Sequence, residues 1–328
     1  MKRLSILIWH IHGAYLTAIT QADHIWYVPV KSDGSEGYSG RGKDSTMPDY
    51  VREVPADQVK QLDLDLVIFQ TPTNYQIDQY EILSEGQRQR VPAIYLEHNT
   101  PEPHPTHTLH PVAGDPTVQL VHVTHFNRLM WDNGKTPTRV IEHSVAIDPT
   151  VHYKGQRPEG ICVINNMQHR GRIAGYDLFE ALRQRVPLTS VGMDALAIGG
   201  LGEFHYRDLH RTVADYRFLF SPMRYSSLPL ALIEAMTIGM PIVALATTEL
   251  PTVIENGVHG FISNEIDVLA GRMQFLIDHP DEAARMGQNA RQSAQERFSI
   301  PRFVADWNRL FFEVCGSEEK TFHAASEA

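Results

Sequence analysis

A chain of 328 residues with 42% hydrophobic content is long enough for two domains, each with its own core. Its formal net charge of -10, with no local basic patch to offset it, repels nucleic-acid phosphates and anionic headgroups, so nucleic acid is excluded as a default partner. Cys162 and Cys315 stand far apart, which fits a reducing cytoplasm and excludes a disulfide scaffold or a zinc ribbon.

Met1, Lys2 and Arg3 supply the positive start of a signal peptide, but the apolar run from Leu4 to Trp9 is too short for one and ends at His10 and His12. No later run reaches the roughly 18 apolar residues of a membrane span, so any membrane contact is expected to be peripheral. Short runs rich in Val, Ile and Leu alternate with helix-period segments, the pattern of a parallel sheet with crossover helices. The strand candidates of the first half are Leu4 to Trp9, Ile25 to Val30, Leu66 to Phe69, Ala93 to Leu96, Gln119 to Val123 and Arg139 to Glu142. Lys31 to Pro48, rich in Gly, Ser, Asp and Lys, has no periodicity that could bury a face; it reads as a disordered loop, with a mobile lid as the alternative.

Pro, Gly and polar residues cluster from Pro149 to Pro158, where a domain join is expected. The pattern then restarts with strand candidates Gly160 to Ile164, Leu188 to Val191, Arg217 to Phe220 and Pro241 to Leu245, and a helix near Tyr176 to Arg185. Helices follow from Pro280, and Pro301 opens the last one, whose apolar stripe is Phe303, Trp307, Leu310 and Phe311. The fold class is therefore α/β, with a Rossmann-like domain over residues 1–150 and another over 151–300. The helix over 301–316 is expected to return to the first domain, ahead of a frayed tail over 317–328.

The most informative segment runs from Phe218 through Pro222, Ser226 and Glu234 to Gly239 and Pro241: a strand, a turn, a helix and a second strand. A helix starting near Leu228 aims its open amides, chiefly those of Leu230 and Ala231, at the strand ends, where they can hold a phosphate. Glu234 lies about one turn farther on, and its carboxylate can accept both hydroxyls of a ribose.

This segment resembles the donor-site signature of glycosyltransferase family 4, a pair of glutamates spaced as Ser226 and Glu234 are here, followed by a Gly-x-Pro strand. The likeness extends to Val253 through Gly257, to Gly260, and upstream to Gly202, Leu209 and Pro222. It implies a GT-B architecture, two Rossmann-like domains facing each other across a cleft. The implied reaction is retaining transfer of a sugar from a nucleoside-diphosphate sugar to an acceptor that the sequence does not specify, with no metal or other cofactor. By the same resemblance Arg170 and Arg172 are placed on the diphosphate, as a bidentate clamp, and His98, at the end of a strand, near the donor sugar with Glu97 as its orienting neighbour. Gly13 fits the tight turn after the first strand. His125, Arg128 and Trp131 are candidates for the acceptor side.

Three departures matter. Ser226 stands where the first glutamate belongs, Thr248-Glu249 replaces a Gly-Gly pair, and Thr252 replaces an acid. Glu249 is the candidate to supply the missing carboxylate, and the alternative reading is a noncatalytic nucleotide-sugar-binding protein or partner subunit. His98, His104, His107 and His110 could bind zinc by density alone, but their Pro-rich loop lacks helical spacing and holds no Cys, so acceptor contact is preferred. Asp63 and Asp65 precede an apolar run and read as a solvated strand entry rather than a metal site.

Overall fold

The computed structural model describes residues 2–42 and 47–316. Two parallel sheets share the chain. The first joins β1 (Ser5–Ile8), β2 (Ile25–Val30), β3 (Val51–Pro55), β4 (Leu66–Phe69), β5 (Ala93–Glu97), β6 (Val118–His122) and β7 (Thr138–Val140) in the order β3-β2-β1-β4-β5-β6-β7. The second joins β8 (Arg157–Val163), β9 (Leu188–Val191), β10 (Tyr216–Ser221), β11 (Ile242–Ala244) and β12 (Gly260–Ile262) in the order β12-β11-β10-β8-β9. Both are doubly wound, with the winding direction reversing between β1 and β4 in one sheet and between β8 and β10 in the other.

Each sheet is buried on both faces, which explains why its central strands are unbroken apolar runs. All four residues of β4 and all six of β10 are buried. One core of the first domain packs Ile6, Ile8 and Ile68 against helix residues Tyr15 and Leu16, and the other packs Leu7, Trp9, Val67 and Phe69. β3 was not among the expected strands: it is an edge strand ending in Pro55, with Arg52 and Glu53 exposed, and carries little apolar signal.

The segment from Lys31 to Pro48 is not the disordered loop expected, at least over its described part; residues 43–46 lie outside the described residues. Residues 32–42 fold back over the end of β1. His10 N donates to Gly37 O at 3.2 Å, and His10 Nδ1 lies 2.6 Å from Gly40 O. Tyr38 is buried there, with the Lys31 ammonium 3.8 Å from its ring centre. Gly40 has φ 59°, and a Cβ there would stand 2.4 Å from Glu53 Oε1, so the fold-back needs a residue without one. The tail over 317–328 lies outside the described residues.

The linker between the sheets is gripped by the C-terminal helices. Arg302 donates to Glu142 O at 2.9 Å and His143 O at 2.6 Å, Ser144 Oγ donates to Phe298 O at 2.7 Å, and Arg297 Nε holds the Glu142 carboxylate at 3.0 Å. Helix Ile300–Val314 then lies in the first domain's core, where Phe303, Trp307 and Phe311 are fully buried and Trp307 Nε1 donates to Tyr15 Oη at 3.2 Å. No helix among the described residues is long and apolar enough to cross a membrane.

Thr248, where the resembled signature has a glycine, has a glycine-like backbone with φ 51°. A β-branched residue in that region is strained.

Two stability measurements follow from this packing. Trp307→Ala should cost the first domain about 3–5 kcal/mol through loss of a fully buried indole, read as a lower urea midpoint; a loss below about 1 kcal/mol would contradict the docking of the last helix. Thr248→Gly should raise stability by up to about 1 kcal/mol, because relief of about 1–2 kcal/mol of left-handed strain exceeds glycine's entropic cost of about 0.5–1 kcal/mol. A lowered melting temperature would show that the threonine is not strained.

Candidate active site

Ligands of doubly wound sheets bind beyond the carboxyl ends of the strands, where the winding reverses. Here both such places face one another. Contacts between the strand-end loops of the two sheets join them: Phe126 N donates to Glu249 Oε2 at 2.7 Å, Asn127 Nδ2 to Ser227 Oγ at 3.2 Å, and Tyr225 Oη to Pro101 O at 3.2 Å.

On the second sheet, the turn after β10 leads through half-buried Ser226 into helix Leu230–Ile238. Pro229 precedes it without a side-chain cap, and the Leu230 and Ala231 amides come before any intrahelical acceptor. Glu234 is buried on this helix. Its Oε1 accepts from Tyr206 Oη at 2.8 Å, and His210 Nε2 lies 3.3 Å from its Oε2 without hydrogen-bond geometry. Burial and the Glu234 carboxylate push the Tyr206 phenol well above its ordinary range, so it stays protonated and donates. A cavity of about 520 Å³ is lined by Tyr206 and His210 from the second domain, by Thr17 and Gln21 from the first and by Ala146 of the linker. Gly202, left-handed with φ 83°, receives the Gly192 N–H on its carbonyl at 2.9 Å and shapes the loop before Tyr206.

Arg170 and Arg172 flank β8's exit but do not form the pair expected. Gly171 between them has φ 54° and ψ −128°, a break in helix Met167–Ala174. Arg172 is tied to Asp177 at 2.8 Å, as is Arg224, whose two terminal nitrogens reach the same carboxylate at 2.6 and 2.8 Å. Arg170 is exposed and makes no ion pair among the described residues. Partial burial lowers its guanidinium's proton affinity, and Glu102, in the opposite domain, acts on it electrostatically in the other direction.

Glu249 is 2% exposed, and both of its oxygens are occupied. Oε2 accepts the Phe126 amide, while Oε1 accepts from Thr252 Oγ1 at 3.1 Å and lies 3.9 Å from Arg297. Its carboxylate therefore joins the two domains rather than lying open to a sugar, and Thr252, which replaces an acid, is one of its partners.

On the first sheet, His98 follows β5 and is buried against His12, Tyr15 and Gln70. Its ring centre lies 4.2 Å from that of His12 and 4.7 Å from that of Tyr15. Burial, with repulsion from His12 and His143, holds its imidazole well below the ordinary histidine range, so it is neutral. Glu97 is not its orienting neighbour. Side chains alternate along the strand, and Glu97 instead pairs with buried His110 at 3.0 Å and accepts the Asn99 amide at 2.7 Å. Gln70, just after β4, takes that place, with its Oε1 3.0 Å from His98 Nε2. Gly13 is not a turn glycine. It opens helix Gly13–Ile19 with φ outside the left-handed region, and a Cβ there would lie 3.2 Å from His10 Nε2.

Thr124 caps helix His125–Met130 by accepting from Asn127 N at 3.0 Å, leaving His125 and Arg128 exposed. Trp131 is committed to the His- and Pro-rich loop, donating to Asn99 O at 2.9 Å with its ring against His110. His98 and His110 thus have separate partners, and no group of three potential metal ligands occurs among the described residues. Asp63 and Asp65 lie at the amino end of β4, away from the cleft. Asp65 accepts Ser5 N at 2.8 Å, and Asp63 pairs with Arg90 at 3.2 Å. Gln70, Tyr206, His210 and the Asp177–Arg224 pair were not among the expected site residues; a polar residue placed directly after a fully buried strand is the signal that could have found Gln70.

Residues 200–293 match the family model of the glycosyl transferases group 1. Among curated proteins, an uncharacterised glycosyltransferase of Haemophilus influenzae is 28% identical over 92 residues, 27% of this chain and 26% of the relative. The N-acetyl-alpha-D-glucosaminyl L-malate synthase of Bacillus anthracis is 28% identical over 90 residues, 27% of this chain and 24% of the relative. The chain thus aligns with about a quarter of the length of these relatives. Among solved structures, sucrose-phosphate synthase from Thermosynechococcus elongatus superposes with a TM-score of 0.69 at 14% identity, covering 96% of this chain and 100% of that one. HepE from Anabaena, in complex with UDP, gives a TM-score of 0.66 at 14% identity over 95% of this chain and 100% of that one. Such identities speak for the fold. The chain has the two-domain GT-B architecture of these glycosyltransferases, and its second domain resembles the glycosyl transferases group 1.

Proposed function

We propose that this chain is a glycosyltransferase that moves a sugar from a nucleoside-diphosphate sugar to an acceptor, with retention at the anomeric carbon and without a metal. The observation that carries this reading is the meeting of the two winding-reversal points, with Arg170 after β8 and the Leu230 and Ala231 amides and Glu234 after β10, the neighbouring strands at the second sheet's reversal. Helix amino termini and guanidinium groups stabilise phosphate charge, and that charge grows as a nucleoside diphosphate departs. Arg170, unpaired among the described residues, is the cation for it; Arg172 acts through the loop that Asp177 and Arg224 hold.

Glu234 is assigned to the ribose. A carboxylate has about four acceptor positions, and its contacts with Tyr206 and His210 leave positions for two hydroxyls. Ser226 is the donor-side hydroxyl in the turn, Gly202 shapes the nucleoside's loop, and Gly13 sits at the start of the helix facing the cleft. His98 meets the transferred sugar. His125 and Arg128 border the acceptor, with Trp131 holding the loop beside them. Glu249 acts by keeping the domains in register, not as a reacting group. Since Glu249 and Glu97 are both buried with partners, a same-face route, in which the departing phosphate oxygen takes the acceptor's proton, is favoured over a protein nucleophile. HepE, solved with UDP and with UDP-glucose, makes uridine the first base to try.

Release of nucleoside diphosphate from UDP-, GDP- and ADP-glucose should exceed background for at least one donor. Glu234→Gln should lower kcat/KM for that donor about tenfold to a hundredfold, the worth of charge-assisted hydrogen bonds. Tight binding with no release from any donor would replace transfer with noncatalytic binding, and an unimpaired Glu234→Gln would remove the ribose assignment.

A further inference from the structure

Resting on the proposed donor site, we infer that Gln70 is a positioning residue that fixes which nitrogen of His98 carries the proton, so that His98 presents the sugar with a hydrogen-bond acceptor. Trp9 O is a carbonyl and only accepts, and it lies 2.6 Å from Gln70 Nε2, so that end of the Gln70 side chain is its amide donor. The other end, Oε1, must then be the acceptor facing His98 Nε2 at 3.0 Å. Gln70 is 2% exposed and wedged between the ends of β1, β4 and β5, so no solvent rearranges this order.

His98 Nε2 therefore carries the hydrogen, and in the neutral ring Nδ1 is left with its lone pair. The charged and titratable groups around the ring keep it neutral. His12 faces it from the turn after β1, Tyr15 from helix Gly13–Ile19 and His143 from the linker, with Arg302 behind His143. His12 and His143 are themselves pushed down by burial, His143 to about 3, and Tyr15 is raised by its own burial, so none of these neighbours is an anion that would stabilise an imidazolium. Asn127 Nδ2 approaches the backbone carbonyl of His98 at 3.4 Å and leaves the ring alone. A neutral Nδ1 acceptor suits a sugar hydroxyl, which has a proton to give, and offers nothing to a carboxylate or another acceptor.

Two readouts test this. In the first, two-bond proton–nitrogen correlations on the full-length ¹⁵N-labelled protein identify the protonated nitrogen of His98, assigned by its loss in His98→Asn. Protonated Nε2 and bare Nδ1 are expected at neutral pH in the wild type. Gln70→Met, of similar size but with only a weak thioether acceptor in place of the amide oxygen, should lose that single form. Gln70→Glu, which still accepts, should keep it and raise the pH at which the ring protonates. A protonated Nδ1 in the wild type overturns the inference, as does Gln70→Met with an unchanged spectrum, and the wild-type spectrum decides even if a variant misfolds.

The second readout is kinetic. Gln70→Met should lower kcat/KM for the nucleotide sugar about three- to tenfold, the worth of one neutral hydrogen bond, while the Kd of the free nucleoside diphosphate stays unchanged. An unchanged kcat/KM, or an equal weakening of both, contradicts a role at the sugar. Should the wild type bind no nucleoside diphosphate at all, the donor-site reading fails, and the spectrum still reports on the Gln70–His98 pair.

Discussion

Strand carboxyl ends in a parallel sheet are where backbone groups, loop side chains and helix amino termini go without partners, and a doubly wound sheet opens a gap there because its crossovers diverge. This chain builds two such edges and turns them toward each other. Burying so many polar groups face to face is tolerable only if they satisfy one another or a ligand. Part of the edge does the former: Glu249 takes the Phe126 amide, Asn127 takes Ser227 and Tyr225 takes Pro101 O. Arg170 and the Leu230 and Ala231 amides, which have no such partner among the described residues, are what a ligand would meet.

The interdomain contacts also explain how the departures from the donor-site signature that this segment resembles are accommodated. Thr248 keeps the left-handed backbone that a glycine would adopt, so the turn after β11 retains its course and delivers Glu249 to the helix of the opposite domain. Thr252, in place of an acid, gives its hydroxyl to that same carboxylate. Substitutions that look separate in one dimension therefore converge on one interdomain contact. The linker is fixed just as locally, by Arg297, Arg302 and Ser144 at the point where the last helix crosses back.

Much of the fold was legible because parallel strands buried on both faces have to be apolar throughout. Leu66–Phe69 and Tyr216–Ser221 announce themselves, and the stripe of Phe303, Trp307 and Phe311 announces the last helix. Val51–Pro55 did not, because an edge strand needs few apolar residues, and Lys31 to Pro48 reads as disordered because hydrogen bonds from His10 and glycine geometry, rather than periodicity, hold its described part. In the site, Glu234 and the helix carrying it stood out through a local motif. The partnerships that set chemistry did not, because they join residues distant in the chain: Gln70 with His98, Tyr206 with Glu234, Arg224 with Asp177 and Glu249 with Phe126. Neighbours in sequence were poor guides here, since Glu97 pairs with His110 while His98 meets Gln70, and Gly171 breaks the helix between Arg170 and Arg172.

The central claim is that a diphosphate belongs where helix Leu230–Ile238 begins, opposite Arg170. Crystals soaked with UDP, GDP and ADP test it most directly. Electron density for the two phosphates within hydrogen-bonding reach of the Leu230 and Ala231 amides, with the ribose on Glu234, is the result predicted. Nucleotide bound elsewhere, or that pocket found closed by Arg170 folded onto Glu102, would contradict it.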